Sequence, residues 1–408
     1  VINNTLEGLR YYSLELGGNV NNNNISNNII RHSARGIVGG TVRDTLFKGN
    51  TIYNISWYGF ELRDVNRTVF SGNNISNLSS DAFRFTPHYD YYYSNLIFEH
   101  NNIERMKPII FYLQQGTNFN LTFFNNTFTE TSTVFYLAGA NHTSIINNTM
   151  KSVNQPGEFF SGTTLKNFTM SGNNITTMNR TAIYLWGSGA QQNLRFEDNV
   201  ISVVRGDAVN INNVMGGYVV GNRIQTADLS SIGMQLNSAE DLIIANNTVK
   251  GFSSGFYLSS SSNNSFVNNS VFNNTQHGIF FHSSIGNKVI NNTFDSNLAA
   301  GFVINLSNDT QFRDNRVYNS AYGAHIEDSF NGTLAGNVFI NSSVNDVLIY
   351  NALGTQLWNN NFLSAGGIND LGTSSSFCVD YTGNFYVCLL YTSPSPRDRT
   401  RSRMPSSA

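Results

Sequence analysis

Asparagine returns every 22 to 28 residues through this chain, and each time an apolar residue stands two positions after it. The sixteen anchors run Asn4, Asn27, Asn50, Asn73, Asn101 and onward to Asn337 and Asn360, with Ile52, Ile75, Phe128, Ile175, Val249 and Phe294 among the apolar followers. Such a period marks a solenoid, in which each repeat is too small to bury its own apolar face and must stack on its neighbours. Every period holds three short apolar runs separated by turn residues. The first follows the anchor, as in Asn173-Asn174-Ile175; the second reads small-apolar-x-apolar, as in Gly59-Phe60-Glu61-Leu62 and Ala182-Ile183-Tyr184-Leu185; the third leads to the next anchor, as in Asn193-Leu194-Arg195-Phe196. Short runs rich in Ile, Val, Phe and Tyr and broken by Asn and Gly exclude helix. The sequence therefore predicts an all-β fold: a single-stranded right-handed parallel β-helix with three strands per coil and about 15 to 16 coils, the hand following the preference for right-handed crossovers.

Alternation along a strand sends Phe60 and Leu62 inward and Glu61 outward. Asn at a corner tolerates left-handed dihedrals, and amides stacked from coil to coil bond to one another along the axis. The anchors are read as structural, and the Asn-x-Ser/Thr sequons that overlap them as by-products of the turn. A solenoid needs caps over its open ends, and none is visible, so order is expected to decline at both.

Residues 388–408 resemble a translated sequencing-library adaptor and are set aside as a non-native tail. The expected organisation is a β-helix over 1–377, truncated at its N-terminus, then the start of a lost C-terminal segment over 378–387. Cys378 is left without a second native thiol to pair with. The tail carries four arginines and one aspartate, so removing it moves the formal net charge from −2 to −5. Charged residues are 12% of the chain, about half the usual share, while 63 asparagines take over solvation. That balance argues against a nucleic-acid partner and suits neutral, hydroxylated ligands. No apolar run approaches the ~20 residues of a membrane helix, and no membrane insertion is expected.

The recurring NNTF, NNTV and GNNI turns, the GIFF and GFVI strands and the closing CVDYTGNFY resemble the NosD-like and CASH-type β-helix proteins of microbial envelopes, in the pectate-lyase-like superfamily. The resemblance covers Asn4 to Phe362. It implies the fold and an envelope or extracellular location; relatives of this kind include polysaccharide lyases, glycosidases, epimerases, adhesins and a periplasmic protein linked to copper-site maturation. Phe83-Arg84-Phe85-Thr86-Pro87-His88 also resembles the YGFDPH segment of mannuronan C5-epimerases, with Phe83 in place of its Tyr and Thr86 in place of its catalytic Asp.

The outward positions of the second strand form a stripe: Glu61, Arg84, Tyr112, Tyr136, Tyr184, Asn210, Gln235 and Tyr257, continued by Phe280, Val303 and His325, with Trp186 in a flanking turn. Aromatic faces stack on the C–H faces of sugars while amides bond the rims, so the stripe is the expected substrate-binding surface, unless its rings serve only to stack coil on coil. For catalysis the nearest constellation is Arg63, Arg84 and His88, where Arg84 or His88 would take a proton while Arg63 neutralises a carboxylate. Its bland reading is a surface ion pair between Glu61 and Arg84. His277 and His282 flank one strand, but their odd separation predicts opposite faces; no metal site and no cofactor is expected. The leading expectation is a surface or extracellular module that recognises polysaccharide without catalysis; the alternatives are a lyase or C5-epimerase and a structural spacer.

Overall fold

Each coil turns its corner on two adjacent residues with separate duties. The first takes a left-handed backbone, as Asn27 (φ 54°), Gly49 (φ 62°), His100 (φ 56°), Asp198 (φ 53°) and Asn291 (φ 56°) do. The second is a buried Asn whose amide is laced to the coils on either side. Asn50 shows the pattern: its backbone N–H and Nδ2 donate to Asn73 Oδ1 (3.0 and 3.0 Å), Nδ2 also donates to the Ile25 carbonyl (2.8 Å), and its Oδ1 accepts from Asn28. In the second coil the ladder member is accordingly Asn28, fully buried, and not Asn27 as the spacing predicted. Two asparagines stand side by side there, and periodicity alone does not say which faces inward.

The computed structural model describes residues 1–86, 94–106, 110–113, 118–156, 158–178, 180–187, 191–203, 205–363, 367–370, 376–380 and 387–390. They fall in two compact units, Val1–Ser253 and Ser254–Ala408. Each is a parallel β-helix with three strands per coil, and no helix occurs among the described residues. In the first unit the first strands pair in register so that Ile30, Ile52, Ile75, Ile103, Phe128, Met150 and Ile175 form one inward column. In the second, Val271, Phe294, Val317, Phe339 and Phe362 do the same. The strand Val387–Leu390, which takes in the start of the adaptor-like segment, pairs antiparallel with Ser376–Asp380.

The core of the first unit is built on two parallel phenylalanine stacks. Phe47, Phe70, Phe98 and Phe123 lie 4.8–4.9 Å apart and within 8° of parallel; Phe60, Phe83, Phe111 and Phe135 make the second stack at 4.8–5.2 Å. The stacks meet edge to face, as between Phe70 and Phe83 at 81°. Both geometries suit the ring quadrupole, and the stack spacing matches the ~4.8 Å strand spacing.

Candidate functional site

Strand pairing in the first unit places Glu15, Val38, Glu61, Arg84, Tyr112, Tyr136, Ser161, Tyr184, Asn210 and Gln235 in one register column on successive coils. The parity argument found seven of these positions and missed three: Glu15 and Val38 on the first coils, and Ser161, where Phe159-Phe160-Ser161-Gly162 breaks the small-apolar-x-apolar pattern. His88 and the side chain of Tyr112 lie outside the described residues.

At the head of the column two coils bulge together. The register shifts between Leu16 and Asn19 and again between Gly39 and Thr41, at the stacked doublets Gly17-Gly18 and Gly39-Gly40. A Cβ on Gly40 would stand 2.8 Å from the Gly18 carbonyl oxygen, so the close approach requires glycine. The bulge opens a cavity of about 260 Å³ lined by Tyr12, Glu15, Arg35, Glu61 and Arg63 over that glycine floor. Of the sequence candidates, then, Glu61 and Arg63 share a pocket, joined by Tyr12, Glu15 and Arg35. Arg35 Nε stands 3.2 Å from Glu61 Oε2, and its guanidinium lies over the Tyr12 and Trp57 rings at 5.5 and 4.9 Å. The ion is thus sandwiched between rings and held beside the carboxylate.

Arg84 does not join this pocket. It is the register neighbour of Glu61, but it is not that residue's ion partner: Nη1 donates to the Tyr58 hydroxyl at 2.7 Å, the guanidinium covers the Tyr58 ring at 4.7 Å, and Asp81 Oδ2 is 3.7 Å away. The expected Glu61–Arg84 pair is therefore replaced by Glu61–Arg35 and Asp81–Arg84. Burial pushes the Asp81 carboxyl up to about 6, partly opposed by Arg84.

Further along, Tyr184 is 36% exposed and has Ser161 and Asn210 as column neighbours, so no aromatic residue occupies its register position on either adjacent coil. Trp186 lies beside it with Nε1 donating to Ser161 Oγ (3.2 Å), and its ring is 6.4 Å from that of Tyr136. The next two coils carry an amide network: Asn210 Nδ2 donates to Gln235 Oε1 (3.1 Å), Asn212 Nδ2 to Asn210 Oδ1 (3.0 Å) and Asn237 Nδ2 to Asn212 Oδ1 (2.8 Å).

In the second unit the same strand position carries Tyr257, Phe280, Val303 and His325. Here Tyr257 and Phe280 do stack coil on coil, at 5.4 Å and 6°. His277 and His282, expected on opposite faces, both lie against Phe280, at 5.3 and 6.5 Å. The cause is the inner corner: Gly278 and Ile279 are both buried, so alternation fails there. Burial pulls His277 down to about 4 with His325 contributing, and lowers His325 as well. His282 Nδ1 stands 2.8 Å from Asn305 Oδ1, and Asn305 Nδ2 donates to Glu327 (3.1 Å).

Fold and strand register define a right-handed parallel β-helix. Residues 166–386 match the family described as periplasmic copper-binding protein (NosD), and residues 1–150 match the right handed beta helix region. The chain belongs to the NosD family. No curated relative matches it. Among solved structures it is similar to the A-module of mannuronan C-5 epimerase AlgE4 from Azotobacter vinelandii, at 14% identity over 83% of this chain and 90% of that one, with a TM-score of 0.43. It is also similar to the periplasmic alginate epimerase AlgG (15% identity, 81% and 77%, TM-score 0.35) and to the Dettilon tailspike protein (13%, 80% and 62%, TM-score 0.42). At these values the likeness is one of chain winding alone. The family description raises copper, and the donors do not fit it: among the described residues no three His, Cys, Asp or Glu side chains converge.

Proposed function

We propose that this chain is a glycan-recognising β-helix of the envelope or cell exterior that lays an extended polysaccharide along the second-strand face of its first unit without cleaving it. The observation that carries this reading is Tyr184, an exposed ring between Ser161 and Asn210 with Trp186 alongside, so inter-coil stacking with column neighbours does not account for it. An aromatic face flanked by hydroxyl and amide groups suits the apolar face and polar rim of a sugar ring. The periplasmic description of the family supports the location. Size-exclusion with light scattering on a panel of neutral and acidic polysaccharides tests it: co-elution at unchanged polymer mass is expected. Tyr184→Ala with Trp186→Ala should weaken that binding at least about tenfold, whereas Tyr257→Ala, which removes a ring already stacked on Phe280, should leave it intact. Unchanged binding in the double variant would sink the reading.

A second reading, lyase or epimerase chemistry on an acidic polymer, is favoured by Asp81: a carboxyl pushed up to about 6, with the Arg84 cation 3.7 Å away, places a proton acceptor beside a group able to neutralise a carboxylate. Polymer mass that falls with the wild type and holds with Asp81→Asn would put this reading in place of the first, as would epimerisation seen by NMR under the same contrast.

A further inference from the structure

The third strands of the first unit carry an outward feature unrelated to the second-strand column. On successive coils Asn167, Asn193, Gly216 and Asp241 share a left-handed position, at φ 50°, 53°, 68° and 56°. Side chains of this column bond coil to coil, with Asn193 Nδ2 donating to Asn167 Oδ1 at 3.0 Å and Asn167 Nδ2 standing 3.3 Å from Nε2 of His142, the column's residue on the preceding coil, and 3.2 Å from Oδ1 of its neighbour Asn141. At Gly216 the ladder stops for want of a side chain. Gly217 follows at φ 142°, where a Cβ would collide with the Leu194 backbone, so this close approach requires glycine. The result is a cavity of about 440 Å³ floored by Gly216 and Gly217, with Asn193 on one side and Asp241 on the other, and with Tyr218, Ile243 and Arg195 along its wall.

That lining has the composition of a ligand site. Tyr218 is 48% exposed and Ile243 41%, which is much apolar surface for a solvent-facing strand. The Asn193 and Asp241 positions lie two coils apart, roughly 10 Å at the strand spacing, and both offer oxygen acceptors toward the gap. Arg195, which already bonds Glu197 at 2.9 Å, supplies a cation at the rim. A ligand that fits has an apolar face for Tyr218 and Ile243 and O–H donors on opposite edges for Asn193 and Asp241. We propose that the Gly216-Gly217 depression is a binding subsite for a single pyranose ring, separate from the second-strand face and independent of whether that face binds polymer. A terminal or branching sugar of a polysaccharide and a free glycoside present the same chemistry to it.

Saturation-transfer NMR on the full chain with the methyl glucopyranosides, mannopyranosides and galactopyranosides tests this. At least one is expected to receive saturation. The signal should fall at least about tenfold in Tyr218→Ala and in Gly216→Asn. The second variant fills the depression by continuing the ladder, and its backbone angle is one that Asn167 and Asn193 already adopt in the same column, so the fold is kept. Tyr184→Ala should leave the glycoside signal unchanged, and Gly216→Asn should leave polymer co-elution through Tyr184 unchanged. Loss of a branched polymer but not a linear one in Gly216→Asn would identify the natural donor as a branch sugar. A glycoside signal that survives Gly216→Asn at full strength, or no transfer to any of these glycosides, overturns the proposal whatever the second-strand face does.

Discussion

The two units wind the same way and are held by different means. In the first, successive ladder asparagines are separated by anything from 22 residues, as between Asn126 and Asn148, to 28, as between Asn73 and Asn101. In the second the separation is 22 or 23 throughout, from Asn269 to Asn360. The second unit adds further polar ladders: Ser261, Ser284, Ser307 and Ser329 bond in series from backbone N–H to Oγ, Asn264 bonds Asn287, and Asn274 bonds Asn297. Every such ladder fixes another corner, and a corner fixed on each coil leaves no room for coils of unequal length. The first unit relies instead on its phenylalanine stacks, which lock the interior and leave the connecting turns at liberty to lengthen. The irregular unit also holds the two cavities described above.

The sharpest attempt to break this contrast removes its central ring. Phe98, fully buried between Phe70 and Phe123 and edge-on to Phe83 and Phe111, should lose about 3–5 kcal/mol on truncation to Ala, with hydrogen exchange accelerated throughout the neighbouring coils of residues 1–253. Because nearest-neighbour coupling governs a solenoid, exchange resolved along the chain is the right measurement. A loss below about 1 kcal/mol would show that the Asn ladder, and not the rings, carries the first unit. Next in size is Ser284→Ala in the second unit. Ser284 Oγ accepts from the buried Ser261 N–H (3.1 Å) and donates to the His282 carbonyl (3.0 Å), so truncation orphans both at about 1–3 kcal/mol. Should exchange near Ser261 and Ser307 stay as slow as in the wild type, the extra ladder is ornament and the regular spacing needs another cause.

What could be read from sequence divides along the same line. Coil spacing was legible because the ladder Asn is a chemical necessity on each turn, and the second-strand stripe was legible because period two holds wherever the strand is straight. The reading failed where the backbone leaves that period: at Gly278-Ile279, where two consecutive residues are buried and both His277 and His282 come against Phe280, and at the Gly17-Gly18 and Gly39-Gly40 bulges that make the first pocket. The stacked glycine doublets were the available signal. Partner choice among charges was not legible either, since Arg84 is the register neighbour of Glu61, yet Arg35, three positions before Glu61's other register neighbour Val38, is the one held against it, beside the Tyr12 and Trp57 rings.

Mild acid should move the surroundings of Asp81 and of His277 in opposite directions. Burial raises Asp81 to about 6 and also raises Asp207, so both favour the folded first unit while protonated. Stability from these groups is fully present below the unfolded carboxylate value of 3.8 and is lost as pH rises through the folded value. His277 and His325 are depressed, His277 from 6.5 to about 4 with its Nδ1 buried and unbonded, so the folded second unit favours their neutral forms. Their contribution is present above 6.5 and lost as pH falls toward 4. Between about pH 7 and pH 5, exchange corrected for intrinsic rate should slow around Asp81 and quicken around His277. Asp81→Asn and His277→Gln should flatten the respective slopes, and parallel slopes in the two units would refute the assignment.

The smallest expected effect separates two neighbours of one residue type. Asn291 and Asn292 form the corner pair of one coil in the second unit. Asn292 is buried, accepts from the Asn269 backbone and side chain, and donates to Phe266, Ile290 and Asn315. Asn291 holds the left-handed angle, φ 56°, that Gly336 supplies two coils later at φ 67°. Asn291→Gly keeps that angle without steric penalty and removes an exposed side chain, so it should change stability by no more than about 0.5 kcal/mol, the entropy of a more flexible unfolded chain being the main cost. The first unit already uses glycine at this corner in Gly49, Gly72, Gly172 and Gly221, where the ladder beside it is unbroken. A loss above about 1 kcal/mol at Asn291 would mean that the second unit draws stability from its left-handed column as well, and would widen the difference between the two ways of holding a coil.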